Sequence, residues 1–396
     1  MTRAFSTTAL ALAALLAACG GAAAQTSGPR SALRAAVDEY RRGHLAEAER
    51  DLRSLAGQDN EAAAWLAVVL LARNDSSPEA IELLQRAAAA GNAEAEHNLG
   101  LQYAIGRGVK LDESHAAQLF AQAAQQGHAR AAVNLGTFYA QGRGVPRDPA
   151  KARALYMQAA NAGDAYGQFA FARLLEGEGR FAEAADLYRK AADQGHLGAS
   201  LRYGRLLADG NGISRDPREA QKRLRHAADG GLPEAALALG DLLAQLAGRG
   251  ELPRTAETAT QIVECYRRAA DAGLPAAQFK LGNAFFAGTG VGRDFAQAER
   301  WYRRAAQQGH AEAQYTLGIW LSGGVGGKTD LIEGYAWLVL AERGGYSDAG
   351  LVRQKAAEKL TAAQVAQADS VARGFVLRPE RKIGEVDNLP LKPPQS

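Results

Sequence analysis

Small and apolar residues recur at three- and four-residue steps along most of this chain, and over long stretches the pattern restarts every 36 residues. Such steps predict amphipathic helices, and a fixed restart predicts tandem copies of one helical unit. From Asn92 to Gly127 the fixed slots are Leu99-Gly100, Tyr103, Gly106-x-Gly108-Val109, Asp112, Ala123-Ala124 and Gly127. From His128 to Gly163 they are refilled by Leu135-Gly136, Tyr139, Gly142-x-Gly144-Val145, Asp148, Ala159-Ala160 and Gly163. His196–Gly231, Leu274–Gly309 and His310–Gly345 return to the same frame. Asp164–Gly195 is four residues shorter, and Leu232–Gly273 six longer, with the extra length near Gly248–Thr258.

Each unit reads as two helices joined by a glycine turn. Asp112, Asp148, Asp216, Asp294 and Asp330 stand where the second helix begins, and a carboxylate there accepts from the free N–H groups of the first turn. Pro149 and Pro217 follow two of them, at the helical position that tolerates proline. The closing glycines Gly127, Gly163, Gly195, Gly231, Gly273, Gly309 and Gly345 suit left-handed helix ends. One slot resists a local account. Gly100, Gly136, Gly204, Gly240, Gly282 and Gly318 fall inside helices, where glycine costs about 1 kcal/mol relative to alanine. The expectation is that they let the backbones of adjacent pairs approach closely, against the small Ala-Ala surface of the second helices.

These slots resemble the Sel1-like repeat, a variant of the tetratricopeptide repeat. The match is fullest in Leu274–Gly309, with Leu281-Gly282, Gly288-x-Gly290-Val291, Asp294, Ala298, Trp301-Tyr302, Ala305-Ala306 and Gly309. Asp164–Gly195, with Gly177-x-Gly179-Arg180-Phe181-Ala182-Glu183-Ala184, is closer to an ordinary tetratricopeptide turn. The resemblance implies an all-α fold, an α/α superhelical solenoid of Sel1-like, tetratricopeptide-like helix pairs. Two shorter, degenerate repeats occupy 31–91, Sel1-like repeats 92–345 and C-terminal capping helices 346–375, giving nine pairs in all. Thr361 and Gln364 have capping-box spacing. Residues 376–396 carry Pro379, Pro390, Pro393 and Pro394 without helical period and read as a flexible tail.

The amino terminus changes the picture of where such an array works. Arg3 precedes an alanine- and leucine-rich run over 4–18, too short for a comfortable membrane span and suited to a secretory signal over 1–18. Leu16-Ala17-Ala18-Cys19 fits the bacterial lipobox, in which Cys19 is lipidated after cleavage; residues 19–30 then read as a flexible linker. Gly20 follows Cys19, where aspartate would argue for inner-membrane retention, so a periplasm-facing outer-membrane lipoprotein held by its lipid anchor is expected. The alternative is a cut after Ala22-Ala23-Ala24 and a soluble periplasmic protein. Once Cys19 is lipidated only Cys265 remains, so no internal disulfide is expected. Cys265 fills the slot of Trp301 and reads as a buried apolar residue. Paired cysteines, which staple the repeats of some Sel1-like proteins, are missing.

A formal net charge of +3 over 396 residues and a hydrophobic content of 47% fit a folded, nearly neutral chain with no basic field for nucleic acid. Ser322-x-x-x-x-Gly327-Lys328-Thr329 comes near a phosphate-binding loop, yet Gly324, Gly326 and Asp330 occupy ordinary turn slots and no strand precedes them. His128, His196 and His310 share the first slot of a repeat with Asn92 and Asp164, which implies helix capping or a solvated position. The other histidines, at 44, 97, 115 and 226, lack metal-binding spacing. No nucleophile elbow or carboxylate pair emerges, so no catalytic residue and no cofactor is expected. The inter-helix turns carry Arg107, Lys110, Arg143, Arg147, Arg215, Arg293 and Lys328, either ordinary loop charge or a basic ridge for an anionic partner.

Sel1-like and tetratricopeptide arrays generally bind proteins, so the resemblance implies a scaffold or adaptor for other envelope proteins. Lipobox and solenoid together also resemble the lipoprotein of the alginate export apparatus, which implies an acidic polysaccharide or its porin as partner. Regulation of peptidoglycan enzymes is a further reading. A β-lactamase-like hydrolase is disfavoured by the missing cysteine pairs and S-x-x-K chemistry.

Overall fold

A computed structural model describes residues 29–73, 77–327 and 329–380. Among the described residues are twenty α-helices, one short 3₁₀ turn at Val325–Gly327 and no strand. Consecutive helices of the same unit pair in order, and two further helices follow the last repeat. They belong to two compact units that divide between Pro149 and Ala150.

The first unit holds α1 (Pro29–Arg41), α2 (Leu45–Leu55), α3 (Asn60–Arg73), α4 (Pro78–Ala89), α5 (Ala93–Ile105), α6 (Glu113–Gln125) and α7 (Ala129–Gln141). Helix α8 (Pro149–Asn161) opens the second. It continues with α9 (Ala165–Gly177), α10 (Phe181–Asp193), α11 (Leu197–Asp209), α12 (Pro217–Asp229), α13 (Pro233–Gly248), α14 (Ala256–Asp271), α15 (Pro275–Ala287), α16 (Phe295–Gln307), α17 (Ala311–Gly323) and α18 (Leu331–Arg343). Helices α19 (Ala349–Ala357) and α20 (Ala362–Arg373) complete it, α20 starting on a full Thr361–Gln364 capping box. Pro29 and Arg30 lie in α1 rather than in a linker.

Capping explains where the helices start. The side chains of Asn92, His128, Asp164, His196 and His310 each accept the N–H three residues on, at 2.9, 3.1, 2.8, 3.1 and 3.2 Å. Asp112, Asp216, Asp294 and Asp330 do the same for second helices, at 2.9–3.0 Å. The first helices α5, α7, α11, α15 and α17 stop at a left-handed glycine, as at Gly288 with φ 74°, whereas α9 and α13 end on Glu178 and Arg249 in the right-handed region.

The glycines inside first helices have a different purpose from the one expected. A Cβ on Gly282 would lie 2.7 Å from the ring of Tyr302, and one on Gly100 or Gly240 2.7 Å from Phe120 or Tyr266. Leu224 and Leu338 stand in the same relation to Gly204 and Gly318. Each of these glycines therefore seats a large side chain of its own partner helix, and that side chain is buried. Close backbone approach between successive repeats occurs instead at the second turn glycine. A Cβ on Gly290, which also has φ 72°, would run into the carbonyl of Ala259 in the preceding repeat; one on Gly144 would meet that of Glu113. The Ala-Ala pairs do face the next repeat: Ala305 and Ala306 share a core cluster with Ala313.

Length differences fall at the turn end. Helices α13 and α14 have 16 residues each, against 13 in α15 and α16, while only Glu178–Arg180 separates α9 from α10. Among the described residues 375–380 there is no helix, and Val376–Glu380, expected to begin a flexible tail, is held against the preceding repeats by Arg304, Gln278 and the backbone of Gln307.

Candidate functional site

Within each unit the inter-helix turns line one edge, because each turn contacts the start of the preceding repeat's second helix: Ser114 Oγ donates to Gly144 O at 3.1 Å, and Thr260 Oγ1 to Gly290 O at 3.4 Å. On that edge much of the basic charge is engaged by the fold. In the first unit Arg143 pairs with Glu113 at 2.8 Å and lies over the Phe138 ring, and Arg147 Nε donates to Ala140 O at 3.2 Å. Lys110 is exposed and Arg107 half-buried. In the second unit Arg215 donates to Ala208 O at 3.2 Å and grips Glu251 with both terminal nitrogens at 3.0 Å; Arg293 is exposed. Arg147 and Arg215 thus satisfy carbonyls at the ends of α7 and α11. Arg254, at the same slot, does so for α13 through Ala247 O at 2.8 Å and was not singled out from sequence. Lys328 and Cys19 lie outside the described residues.

The histidine row yields one cluster that spacing concealed. Glu94, His97 and His128 offer ligand atoms within 4.8 Å of one another. The His97 and His128 rings stack at 4.5 Å, as Phe169 stacks on His196 and Phe279 on His310, so His97 fills an aromatic slot beneath the next repeat's cap. Burial drives the His97 pKa down to about 3, holding it neutral, and its Nδ1 is buried without a hydrogen-bond partner. Its Nε2 lies 3.1 Å from the Asn134 amide. Three ligands fit a metal in number, but the cap opposes it. His128 Nδ1 accepts the Ala131 N–H, so its proton sits on Nε2, 3.3 Å from Glu94 Oε2. A metal on Nε2 would move that proton to Nδ1, against the Ala131 N–H. The cluster is better satisfied as a hydrogen-bonded stack that joins two repeats.

The longer helices α13 and α14 frame, with α15, a cleft of about 530 Å³ whose walls include Ala247, Ile262, Val263, Ala284 and Ala287, with Arg254, Thr258, Lys280 and Asn283 among its polar groups. Lys280 is engaged there by Asp241 at 3.1 Å. Cys265, also on α14, is buried in the core cluster with its thiol pKa raised by burial, which suits packing rather than nucleophilic chemistry. The phosphate-loop look-alike is a helix-to-helix turn, with Gly324 and Gly326 at φ 68° and 77° and Asp330 capping α18.

This geometry has relatives. The pattern that defines the Sel1 repeat matches residues 72–92, 93–128, 129–164, 174–196, 198–232, 233–274, 275–310 and 311–346. No curated protein matches the chain. Among solved structures, a protective antigen present in uropathogenic Escherichia coli strains, described as displaying an SLR fold, is 29% identical with a TM-score of 0.71, over 89% of this chain and 77% of that one. A Sel1 repeat protein from Oxalobacter formigenes is 31% identical with a TM-score of 0.55, over 77% of this chain and 89% of its own. The repeat frame recurs through the matched stretches, and the chain belongs to the Sel1 repeat family.

Proposed function

We propose that this protein is a non-enzymatic interaction scaffold of the bacterial cell envelope, tethered through Cys19 and binding other envelope proteins through its repeat surface. Sel1 repeat proteins are generally protein-interaction scaffolds. The observation that carries the reading is how the recurrent chemistry is used. The row histidines cap helices, the turn aspartates cap helices, and arginines of the turn edge close helix ends or pair with glutamates. What varies between repeats is the exposed side-chain surface, which is the part a partner reads. The envelope setting rests on the apolar leader and the Leu16–Cys19 lipobox.

Cross-linking mass spectrometry on intact envelopes tests this, with Cys19→Ala as the control for tethering. Cross-links to outer-membrane components that disappear in Cys19→Ala are expected. Cross-links to cell-wall enzymes that persist in the variant would overturn the tether and favour a soluble regulator.

A further inference from the structure

The closing glycines of the repeats lie along the edge opposite the inter-helix turns of their own pairs, and at two of them the edge is occupied. A Cβ on Gly309 would lie 2.8 Å from Leu377, and one on Gly273 3.0 Å from Glu380. At Gly163, Gly195, Gly231 and Gly345 a Cβ would meet nothing within 4 Å. The extended segment Phe375–Glu380 therefore crosses a bare backbone floor that is open at other repeats of the same unit.

Its anchor is a built carboxylate clamp. Arg304 donates from Nε to Glu380 Oε1 at 2.9 Å and from Nη2 to Oε2 at 2.6 Å, and its guanidinium lies 4.4 Å from the centre of the Trp301 ring. Gln278, fully buried, donates to the same Oε2 at 2.8 Å and to Ala270 O at 3.2 Å, and its carbonyl accepts from Gln308 at 2.8 Å. Gln308 Oε1 in turn accepts the Glu380 N–H at 3.1 Å, and the Arg378 N–H donates to Gln307 O at 2.9 Å. A bidentate, stacked arginine flanked by two amides specifies a carboxylate on an extended backbone. At the other end Phe375 packs edge-on to Trp337 at 5.3 Å.

We propose that this edge is a docking site for extended, glutamate-bearing peptide segments, and that Phe375–Glu380 is its intramolecular occupant. The same frame recurs three repeats earlier in the unit. Gly163, Gln168, Lys190, Gln194 and Gly195 stand at the slots of Gly273, Gln278, Arg304, Gln308 and Gly309, and Gln194 donates to Gln168 at 2.8 Å as Gln308 does to Gln278. There the floor is open and the lysine turns to Asp186 at 2.8 Å. A partner carrying an apolar residue a few positions before a glutamate fits the occupied site only by displacing the tail. The proposal stands apart from the envelope reading, because its test uses purified protein and no membrane.

The probe is a fluorescent, end-blocked peptide Phe-Val-Leu-Arg-Pro-Glu, titrated by anisotropy against full-length protein. Glu380→Arg, which evicts the internal carboxylate, is expected to bind at least tenfold more tightly than the native chain. Adding Arg304→Glu to it is expected to abolish the gain, and a peptide with glutamine at its last position is expected to bind no variant. Circular dichroism melts establish that the variants are folded. Absence of binding by folded Glu380→Arg, or binding that survives the added Arg304→Glu, would overturn the proposal.

Discussion

A histidine that caps a helix through Nδ1 must be neutral, and this ties stability to pH at single residues. Burial depresses the His196 pKa from 6.5 to about 4 and moves that of His310 in the same direction. Above pH 6.5 both the folded and unfolded imidazoles are neutral, and the caps contribute fully. As pH falls from there toward 4, the unfolded His196 ring takes up a proton that the folded one refuses, so stability is lost at up to about 1.4 kcal/mol per pH unit, and His310 adds a loss of the same sign. Asn92 shows the remedy, since its side chain caps α5 without titrating. The double variant His196→Asn/His310→Asn is expected to melt slightly lower at pH 7, having lost its ring stacking, and to show a flatter melting profile between pH 6.5 and 4.5. Thermal scans across that range check it; an unchanged slope would show that other groups govern the acid response. These caps were legible in the sequence because a cap is a local contact spanning three residues. The stack of His97 on His128 was not, because it joins residues 31 positions apart through the offset of two repeats.

At the scale of the helix pair, shape complementarity between a missing side chain and a large one is the organising contact. Gly282 faces Tyr302, whose hydroxyl donates to Asn283 at 2.7 Å and whose ring is 1% exposed. Gly282→Leu is expected to cost about 3 kcal/mol by overpacking, and Tyr302→Ala placed on the same chain should recover part of the loss. Denaturant melts of the two single variants and the double check this; strictly additive losses would rule out the seat. Both halves of the contact are plain in the repeat frame, 20 residues apart, yet the sequence alone did not show that they meet. Glycine in a helix invites an account in terms of backbone approach, and the partner helix decides otherwise. Docking of Val376–Glu380 was illegible for another reason: an extended segment held by hydrogen bonds and one ion pair leaves no periodic trace.

Within each unit, apart from the docked segment Val376–Glu380, contacts that join repeats run between neighbours about one repeat apart, so a defect should stay close to where it is made. Gly290→Ala tests this. The substitution forces a side chain into a left-handed backbone and against Ala259, at the junction of α14 with the turn after α15. Amide hydrogen exchange is expected to accelerate by tenfold or more in α14, α15 and α16, with the protection of α9 and α10 retained. Uniform loss of protection through residues 150–380 would instead show that this unit opens as one cooperative block.

The residues by which repeats differ in length also say where this architecture can be altered. Three extra residues in each of α13 and α14 add close to one turn apiece at the loop end, while the alanine-rich ends that dock on adjoining repeats keep their register. The shorter repeat loses its residues at the same end, between α9 and α10. Insertion and deletion are thus filtered by position: the loop end is free to drift in length, and the closing-glycine end is bound to a fixed frame. New recognition elements, whether acquired by descent or grafted by design, would enter this chain through its loops and leave the spine of the array untouched.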